Sequence, residues 1–402
     1  MEYLTDDVLI RILSYLDLKS QQIMLDLHPR FFNLMPIVWI SQYKTVKISL
    51  YEAKFSIAHL RYFFRSISKT VQVMHLKMMC AEQYMVLLEF IFPKVYDFRF
   101  ATVPSRLLSD SDIPRLIMTF PNLKEFSPQG SFSGRFFTDF PLLERLTLTY
   151  CQHFSVENLA NVMKVRKLKE IKLCLFDRKT IEKTPICLAA DSMANLESIK
   201  VEIDELPWFE DHLGTLNRLS ELTICGPGLM GILPLLCRKL GSITEKHHFK
   251  ILETCNTTDT LCTVIESKLR VDALKIVTDN YLLEDLGFFS PNSFEYLKQL
   301  FFKSCCIQEK QYFNNLMHNI ANIELVSFEQ CVFTFNRYKF MTAKIVEKRK
   351  KLLQVNLFQN TCVCTRKPWR YVKIGEHPLL EFVEGKNYDY TFEPIYMTFM
   401  IE

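Results

Sequence analysis

The sequence lacks a long uninterrupted hydrophobic run. The stretch LMGILPLLC at 229–237 is about half of the roughly 18 to 20 apolar residues that a membrane-spanning helix needs. Near the start of the chain, Asp6, Asp7 and Arg11 interrupt the apolar residues, and no small-residue cleavage site follows them. We therefore expect neither a membrane span nor a signal peptide.

The sequence also lacks a large excess of charge and a regular spacing of cysteine. The 49 basic and 45 acidic residues leave a net charge of +4, which favours neither a nucleic acid nor an anionic membrane as a partner. The 13 cysteines are odd in number and irregularly spaced, as expected for reduced thiols in the cytoplasm or nucleus. The segment CVC at 362–364 has no second Cys or His pair at the spacing of a tetrahedral zinc site, so no metal site is predicted.

Signals of catalysis are weak. The chain has no nucleophile elbow, P-loop or HExxH motif. The segment CGPGLMG at 225–231 has the glycine spacing of a dinucleotide-binding turn, but Pro227 removes a backbone N–H from the turn that would hold a pyrophosphate. His247 and His248 are adjacent, so their side chains point to different faces of a strand or helix and do not form a metal pair. We predict a protein that is not an enzyme, with no catalytic residue and no cofactor.

A nine-residue pattern recurs along the chain. LERLTLTYC from Leu143 has the form L-x-x-L-x-L-x-x-C, which is the strand segment of a leucine-rich repeat. Good copies begin at residues 143, 168, 196, 219, 297, 323 and 352, looser copies begin at 71, 95, 123 and 271, and a weak copy contains Phe249 and Ile251. Neighbouring copies are spaced for one short strand and one return segment. Each such unit buries its apolar face only when others stack on it.

This pattern predicts an α/β fold built as a curved solenoid, and it resembles the cysteine-containing leucine-rich repeats. The parallel strands would line the concave face, and helices or irregular segments would form the convex face. The array would cover residues 45–362 in about 11 to 12 repeats. Residues 363–402 lose the pattern but are rich in aromatic side chains, so we predict a closing cap there, with a substrate-contacting tail as the alternative.

Several positions within the repeats have predicted structural roles. The ninth residue is predicted to turn inward and to bond backbone groups at the strand end, a role that suits Asn360 well and Cys305 and Cys331 weakly. Ser155 is predicted to cap a helix that buries apolar side chains on one face. The basic run KIVEKRKK at 344–351 is predicted to be the solvated face of a convex helix.

The first forty residues have helical periodicity. In LTDDVLIRILSYLDL, from Leu4, Thr5 is predicted to cap a helix with a broad apolar stripe. Two further short helices follow, the second of them after Pro29. So small a segment buries too little apolar surface to be stable alone. Either the repeats or a partner must therefore cover the stripe.

The same segment resembles the F-box. The resemblance rests on LTDDVLIRILSYLDLKS, LDLHPRFFNL and Trp39, and it covers residues 3–40. It departs from the family pattern at Thr5, where proline is usual, and at Gln21, where leucine is common and where a change could weaken adaptor binding. The resemblance implies docking on an Skp-family adaptor and, through it, on a cullin. The residues implied in adaptor binding are Leu4, Val8, Leu9, Ile12, Leu13 and Leu16.

An F-box followed by leucine-rich repeats implies a substrate-recognition subunit of a ubiquitin ligase, in which other subunits carry out the chemistry. The substrate would be a protein that the sequence does not identify. The alternative is a leucine-rich-repeat scaffold, unconnected with a ubiquitin ligase, whose N-terminal helices only cap the solenoid.

The strand pattern also predicts a substrate surface. Because the fourth and sixth residues of each strand point into the core, the fifth must face the concave side. The predicted substrate-binding residues are the basic and apolar members of that column together with one neighbouring arginine, namely Arg99, Lys172, Lys200, Lys275, Phe301 and Arg145. They are predicted to bind an acidic or phosphorylated segment. The alternative is a solvated ladder of mixed charge.

Overall fold

A computed structural model of the protein describes most of the repeat region and the N-terminal segment. The described residues are 4–53, 55–78, 80–102, 108–149, 153–174, 188–202, 205–209, 211–225, 249–254, 271–277, 282–283, 297–308, 310–320, 322–335, 337–347, 349–365 and 367–384. The chain divides into two compact units, residues 1–218 and 219–402. The glycine turn at 226–231, the histidines at 247 and 248 and the ninth-position cysteine at 151 lie outside the described residues.

Three helices open the first unit, as the periodicity predicts. They are α1 (Asp6–Ser14), α2 (Leu18–Leu27) and α3 (Pro29–Gln42), and α3 packs against both of the others. Helix α2 begins after Asp17, whose carboxylate accepts a hydrogen bond from Ser20 N at 2.8 Å.

Thr5 precedes α1 but does not cap it with its side chain. Its carbonyl oxygen accepts the first helical hydrogen bond, from Leu9 N at 3.1 Å. Thr5 is therefore the N-cap residue of α1, as predicted, but without a side-chain hydrogen bond to the helix. The Thr5 φ of −69° is close to the value that proline imposes.

In the described residues of the first unit, seven strands pair in parallel, each with the next along the chain. They are β1 (Thr45–Ser49), β2 (Val73–Met78), β3 (Asp97–Thr102), β4 (Glu125–Ser127), β5 (Arg145–Thr149), β6 (Glu170–Cys174) and β7 (Ser198–Glu202). The fourth positions of the repeats align across the sheet and are all buried, from Met74 through Phe98, Phe126, Leu146 and Ile171 to Ile199. The predicted register is confirmed.

Short helices connect these strands. They are α4 (Leu50–Ala53), α5 (Ile57–Ile67), α6 (Ala81–Leu87), α7 (Ile113–Thr119), α8 (Val156–Arg166) and α9 (Ala190–Met193), with 3-10 turns at Asp110–Asp112, Phe137–Asp139, Leu206–Trp208 and Leu213–Thr215. Ser155 precedes α8, and its hydroxyl accepts a hydrogen bond from Asn158 N at 3.5 Å. Leu159 and Val162 of that helix are buried, so the predicted cap and buried face are confirmed.

Phenylalanine rings fill much of the core of the first unit. Phe92, Phe120 and Phe140 each precede a proline shortly before a strand, and all three are buried. The Phe92 and Phe120 ring centroids lie 5.4 Å apart, and those of Phe98 and Phe120 lie 4.2 Å apart in a stacked pair. The recurring Phe-Pro pair is a second repeat signal in the sequence, and it places one large ring behind each of the strands that follow.

The second unit also consists of parallel strands. After β8 (Glu221–Cys225) come β9 (Phe249–Thr254), β10 (Val271–Val277), β11 (Leu282–Leu283), β12 (Gln299–Lys303), β13 (Cys306–Ile307), α10 (Lys310–Asn319), β14 (Leu325–Glu329), β15 (Val332–Phe333), β16 (Arg337–Met341), α11 (Thr342–Val346), β17 (Leu353–Phe358), β18 (Thr361–Cys362), β19 (Arg370–Ile374) and β20 (Leu380–Glu384). Strands β9, β10, β12, β14, β17 and β20 form one sheet, β11, β13, β15 and β18 a second sheet, and β16 pairs with β19.

The weak copy near Phe249 and Ile251 is the strand β9, which pairs in parallel with β10 and bridges the neighbouring copies as predicted. Leu252 is aligned with the fourth-position Leu274.

The parallel sheet extends beyond the predicted end of the array at residue 362. Strand β20 pairs with β17, with Phe382 aligned to Val355. Trp369, from the predicted cap, stacks on Phe333 with a centroid distance of 3.9 Å and donates a hydrogen bond from Nε1 to Phe335 O at 3.0 Å. The described part of the predicted cap therefore belongs to the sheet and its core.

The basic run at 344–351 is not uniformly solvated. Arg349 is buried, and its guanidinium donates hydrogen bonds to Ile320 O at 2.6 Å and to Ile323 O. Burial lowers its pKa to about 10. The prediction of a solvated face is wrong at this position, because the side chain satisfies carbonyl groups just beyond the end of α10.

The ninth position acts as predicted in the second unit. Cys305 and Cys331 donate from Sγ to carbonyl oxygens of the preceding repeat, at 3.7 Å and 3.4 Å. Asn360 instead donates to Phe328 O at 2.9 Å and accepts from Cys331 N at 2.8 Å. Asparagine therefore satisfies two buried backbone groups where cysteine satisfies one.

We expect Asn360→Ala to destabilise the second unit by about 2–3 kcal/mol, because it leaves a buried N–H and a buried C=O unpaired. Cys331→Ala is the matched control and should cost about 1 kcal/mol, since it removes one weak S–H hydrogen bond and little volume. Urea denaturation followed by circular dichroism, with hydrogen exchange of β14 to β18 as a local measure, tests the difference. Equal losses in the two variants would contradict the assigned role of Asn360.

Candidate functional site

Exposed apolar side chains concentrate in the N-terminal helices. Of the nineteen large apolar side chains that are exposed in the described residues, nine lie between Leu4 and Ile40. This short segment therefore carries almost half of them, and a concentration of this kind is typical of a protein-interaction surface.

Helix α1 has one buried face and one exposed apolar face. Leu4, Val8, Ile12 and Tyr15 are 39%, 43%, 45% and 78% exposed, and at 100° per residue they fall on one side of the helix. We call these four residues the α1 stripe. They lie where a partner can reach them, including three of the residues predicted to bind an adaptor.

Two other predicted adaptor-binding residues lie in the core. Leu9 and Leu13 are only 2% and 0% exposed, and Leu16 is half-buried. Leu9 and Leu13 therefore hold α1 in place and offer no surface to a partner. Of the predicted adaptor-binding residues, Leu4, Val8 and Ile12 are exposed, and Tyr15 lies beside them on the same side of the helix. Adaptor binding by these residues and by Leu16 stays a prediction.

Gln21 connects the three N-terminal helices through its buried side-chain amide. The amide nitrogen donates toward three oxygen atoms, and the amide oxygen accepts from two donors. The partners are Leu13 O (3.1 Å), Leu16 O (3.1 Å), Gln42 Oε1 (2.8 Å), Trp39 Nε1 (2.9 Å) and Tyr43 Oη (3.2 Å). Gln21 is fully buried and offers no side-chain surface to a partner, and its effect on adaptor binding stays a prediction.

The inner side of the three helices is covered by the first repeat. The Phe32 ring stacks on Tyr62 of α5 at a centroid distance of 4.1 Å, and Trp39 packs edge-on against Phe63 at 5.0 Å. Asp26 Oδ1 also lies 3.1 Å from His59 Nε2. The helices therefore share a core with the repeats, while the α1 stripe remains exposed.

The strand face of the first unit carries paired charges. Arg99 Nε lies 3.1 Å from Asp97 Oδ1. Arg145 forms an ion pair with Glu125 and lies 3.4 Å from Glu170 Oε2. These contacts describe the mixed-charge ladder that was the alternative to a purely basic surface. Two of the predicted substrate-binding residues, Arg99 and Arg145, therefore already have acidic partners.

Lys172 and Lys200 are the other two predicted residues on this face. They are aligned neighbours on β6 and β7, as predicted, and both are half-buried. Parallel strands lie about 4.8 Å apart, so the backbones of β6 and β7 place the two lysines next to each other. Both lysines take part in further polar or charged contacts.

Asp97 is the buried centre of this ladder. His75 Nε2 lies 2.9 Å from Asp97 Oδ2, and Arg99 donates to the same carboxylate. Burial opposes ionisation of Asp97, but the hydrogen bonds from His75 and Arg99 outweigh it and hold its pKa below the ordinary value of 3.8.

The strand face of the second unit is buried around Lys275 and Phe301, and this overturns part of the predicted substrate surface. Lys275 and Phe301 align at the fifth position as predicted, but they are only 5% and 4% exposed. Ala273 and Leu325 are buried with Phe301 in one apolar cluster. Strand alternation fixes which side a residue faces, but it does not determine whether that side meets solvent. Lys275 and Phe301 are therefore not an accessible anchor.

Comparisons with known proteins add little. No protein-family model matches the chain, and no curated protein matches it. A solved structure described as a TLR13–ssRNA13 complex is similar to it with a TM-score of 0.35 and 10% sequence identity, over 83% of this chain and 59% of that one. This chain therefore spans less than two thirds of that structure.

None of the described helices is long and apolar enough to cross a bilayer. In the described ranges, no three His, Cys, Asp or Glu side chains come together as metal ligands.

We expect Asp97→Asn to lower the free energy of unfolding by about 1–2 kcal/mol at pH 7, because it removes charge-assisted hydrogen bonds. The folded pKa of Asp97 lies below its unfolded value, so its stabilisation is complete above pH 3.8 and disappears as the pH falls through the folded pKa. The difference from the unmodified protein should therefore shrink in strong acid. Urea denaturation at a series of pH values measures it, with Asp139→Asn at an exposed carboxylate as the control. A difference that stays constant down to low pH would contradict the role of the charge.

Proposed function

We propose that the protein is the substrate-recognition subunit of a cullin-based ubiquitin ligase. In this proposal the N-terminal helices bind an Skp-family adaptor, and the repeats bind a substrate protein in the cytoplasm or nucleus. The supporting observation is that the segment resembling the F-box carries the exposed α1 stripe. Burying a large apolar side chain contributes about 1.5–3 kcal/mol, so a few such contacts are sufficient for a specific interface.

The proposed role requires no catalytic group in this chain. Holding a substrate lysine close to a ubiquitin carrier on another subunit turns an encounter between free molecules into a local one. The protein would supply two binding surfaces at fixed positions. No cofactor or metal takes part in the proposal.

The proposed substrate surface is the strand face of the first unit. Lys172 and Lys200 are its adjacent basic pair, and Arg99 and Arg145 extend it across β3 to β6. We propose that it takes an acidic or phosphorylated segment, which competes with the acidic neighbours of these side chains. Lys275 and Phe301 no longer belong to the proposed surface, because they are buried.

The alternative function is a repeat-based interaction scaffold without a ubiquitin ligase. The packing of Phe32 and Trp39 on α5 favours this alternative, because it shows the helices covering the first repeat. Such a cap does not account for the α1 stripe, which faces away from that core.

The adaptor proposal is tested by the double variant Val8→Asp and Ile12→Asp. Both side chains are exposed, so the fold should be retained. Because one buried apolar contact contributes about 1.5 kcal/mol or more, its loss should weaken adaptor binding at least about tenfold. Co-purification with an Skp-family adaptor measures the effect, and circular dichroism checks the fold. Met118→Asp, at an exposed apolar residue of α7, is the matched control. If the double variant binds the adaptor as well as the unmodified protein does, the α1 stripe is not the docking site. If the unmodified protein itself does not bind the adaptor, the result favours the scaffold alternative.

The substrate proposal is tested by the double variant Lys172→Glu and Lys200→Glu. Proximity labelling in cells should lose acidic or phosphorylated proteins from the labelled set, while adaptor binding stays intact. Capture of those proteins should also weaken with salt, because exposed charges are screened. Lys164→Glu, at an exposed lysine of α8, is the control. An unchanged set of labelled proteins would remove this surface from the proposal.

A further inference from the structure

The C-x-C segment lies in a closed loop of the second unit. Thr361 and Pro368 form an antiparallel bridge, and Cys362 N donates to Lys367 O at 3.0 Å. At the base of the loop, Trp369 N donates to Asn360 O at 2.9 Å. The loop therefore has a fixed base in the core and a turn at 363–365 that carries the second cysteine.

The two thiols of this loop have different exposure but lie close together. Cys362 is buried and Cys364 is exposed. A single residue, Val363, separates the two cysteines along the chain, so one tight turn holds both sulfurs. The Cys364 thiol also lies 3.4 Å from Thr334 O. The loop thus pairs one accessible sulfur with one sheltered sulfur.

The surroundings of Cys362 favour its thiolate. Burial opposes ionisation, but the hydrogen bonds from Thr365 and Cys364 outweigh it and hold the pKa of Cys362 below its ordinary value. Burial raises the pKa of Cys306 and Cys331 instead. Cys306 and Cys331 are therefore poor nucleophiles, whereas the Cys362 sulfur is activated for attack on a sulfur of the same loop.

We propose that Cys362 and Cys364 form a reversible dithiol–disulfide site that exchanges with small-molecule disulfides such as oxidised glutathione. This inference is independent of the proposed ligase function. The accessible sulfur reacts first and the sheltered sulfur resolves the product.

The exchange has two steps. The Cys364 thiolate attacks one sulfur of oxidised glutathione, the S–S bond of that molecule breaks, and one glutathione leaves as a thiolate that takes up a proton. The Cys362 thiolate then attacks the Cys364 sulfur of the mixed disulfide and expels the second glutathione. Two protein thiols are oxidised to one disulfide, and one glutathione disulfide is reduced to two thiols.

Two features favour a reversible rather than a structural bond. A disulfide across one intervening residue closes a small, strained ring, and strained disulfides are more easily reduced. Lys367 and Arg370 are exposed on the same segment, and their positive charge favours approach of an anionic thiol or disulfide.

The test treats the folded protein with a large excess of oxidised glutathione, blocks remaining thiols with an alkylating agent, and digests with trypsin. The peptide Leu352–Arg366 contains both loop cysteines and no other cysteine. We expect this peptide to lose two hydrogen masses and to carry no alkyl group, and the change to reverse with dithiothreitol. Peptides with Cys305, Cys306 and Cys331 should remain reduced.

Two variants separate the steps. Cys362→Ser should accumulate the Cys364–glutathione mixed disulfide, and Cys364→Ser should react little, because its remaining sulfur is buried. Cys364 is exposed, so that variant should fold, and circular dichroism checks both. A stable mixed disulfide on Cys364 in the unmodified protein, or an unreacted peptide, would overturn the proposal.

Discussion

The in-register pairing of parallel strands is the constraint on which the rest of the structure depends. Each strand aligns residue for residue with its neighbour, as Met74 does with Phe98 and Leu300 with Val326. Because side chains alternate along a strand, this alignment collects the fourth and sixth positions into one core and the third and fifth positions onto one face. The aromatic core and the charged ladder are both consequences of that single register.

The N-terminal helices depend on a different interaction, the buried amide of Gln21. A buried amide must satisfy its hydrogen-bonding groups, since an unpaired one costs about 1–3 kcal/mol. Gln21 meets this requirement only when the end of α1, the Trp39 indole of α3 and the Gln42 side chain all approach it together. The amide therefore fixes how α1 lies on α3, and so fixes which side of α1 is turned outward.

The sequence was sufficient to predict the strands, their register and the role of the ninth residue, because these follow from short periodic patterns. The three N-terminal helices were predictable for the same reason. Burial at particular positions was not. By periodicity, Leu9, Ile12 and Leu13 all lie on one apolar face of α1. Only the packing of α1 against α3 shows that Leu9 and Leu13 are buried and that Ile12 is exposed. The burial of Gln21 and Arg349 was not predicted either, because it depends on hydrogen-bond partners that are distant in the sequence.

The burial of Lys275 and Phe301 shows a general limit of reading a strand face from sequence. The face of the second unit contains Phe301, Leu325 and Ala273. The sequence already shows these apolar residues, and they indicate that solvent does not reach this part of the face. The face of the first unit contains Asp97, Arg99, Glu125 and Arg145 at equivalent positions. The prediction of a substrate surface used mainly the fifth residue of each strand. The third residue lies on the same face, and its polarity distinguishes a covered face from an open one.

The charges on the open face already have partners. Arg145 lies between Glu125 and Glu170, and Lys172 and Lys200, which are aligned on β6 and β7, also take part in polar or charged contacts. An incoming anion would therefore have to replace existing partners on this face. The free energy gained from each new ion pair is offset by the loss of the old one, so charge on this face contributes more to the choice of ligand than to the strength of binding.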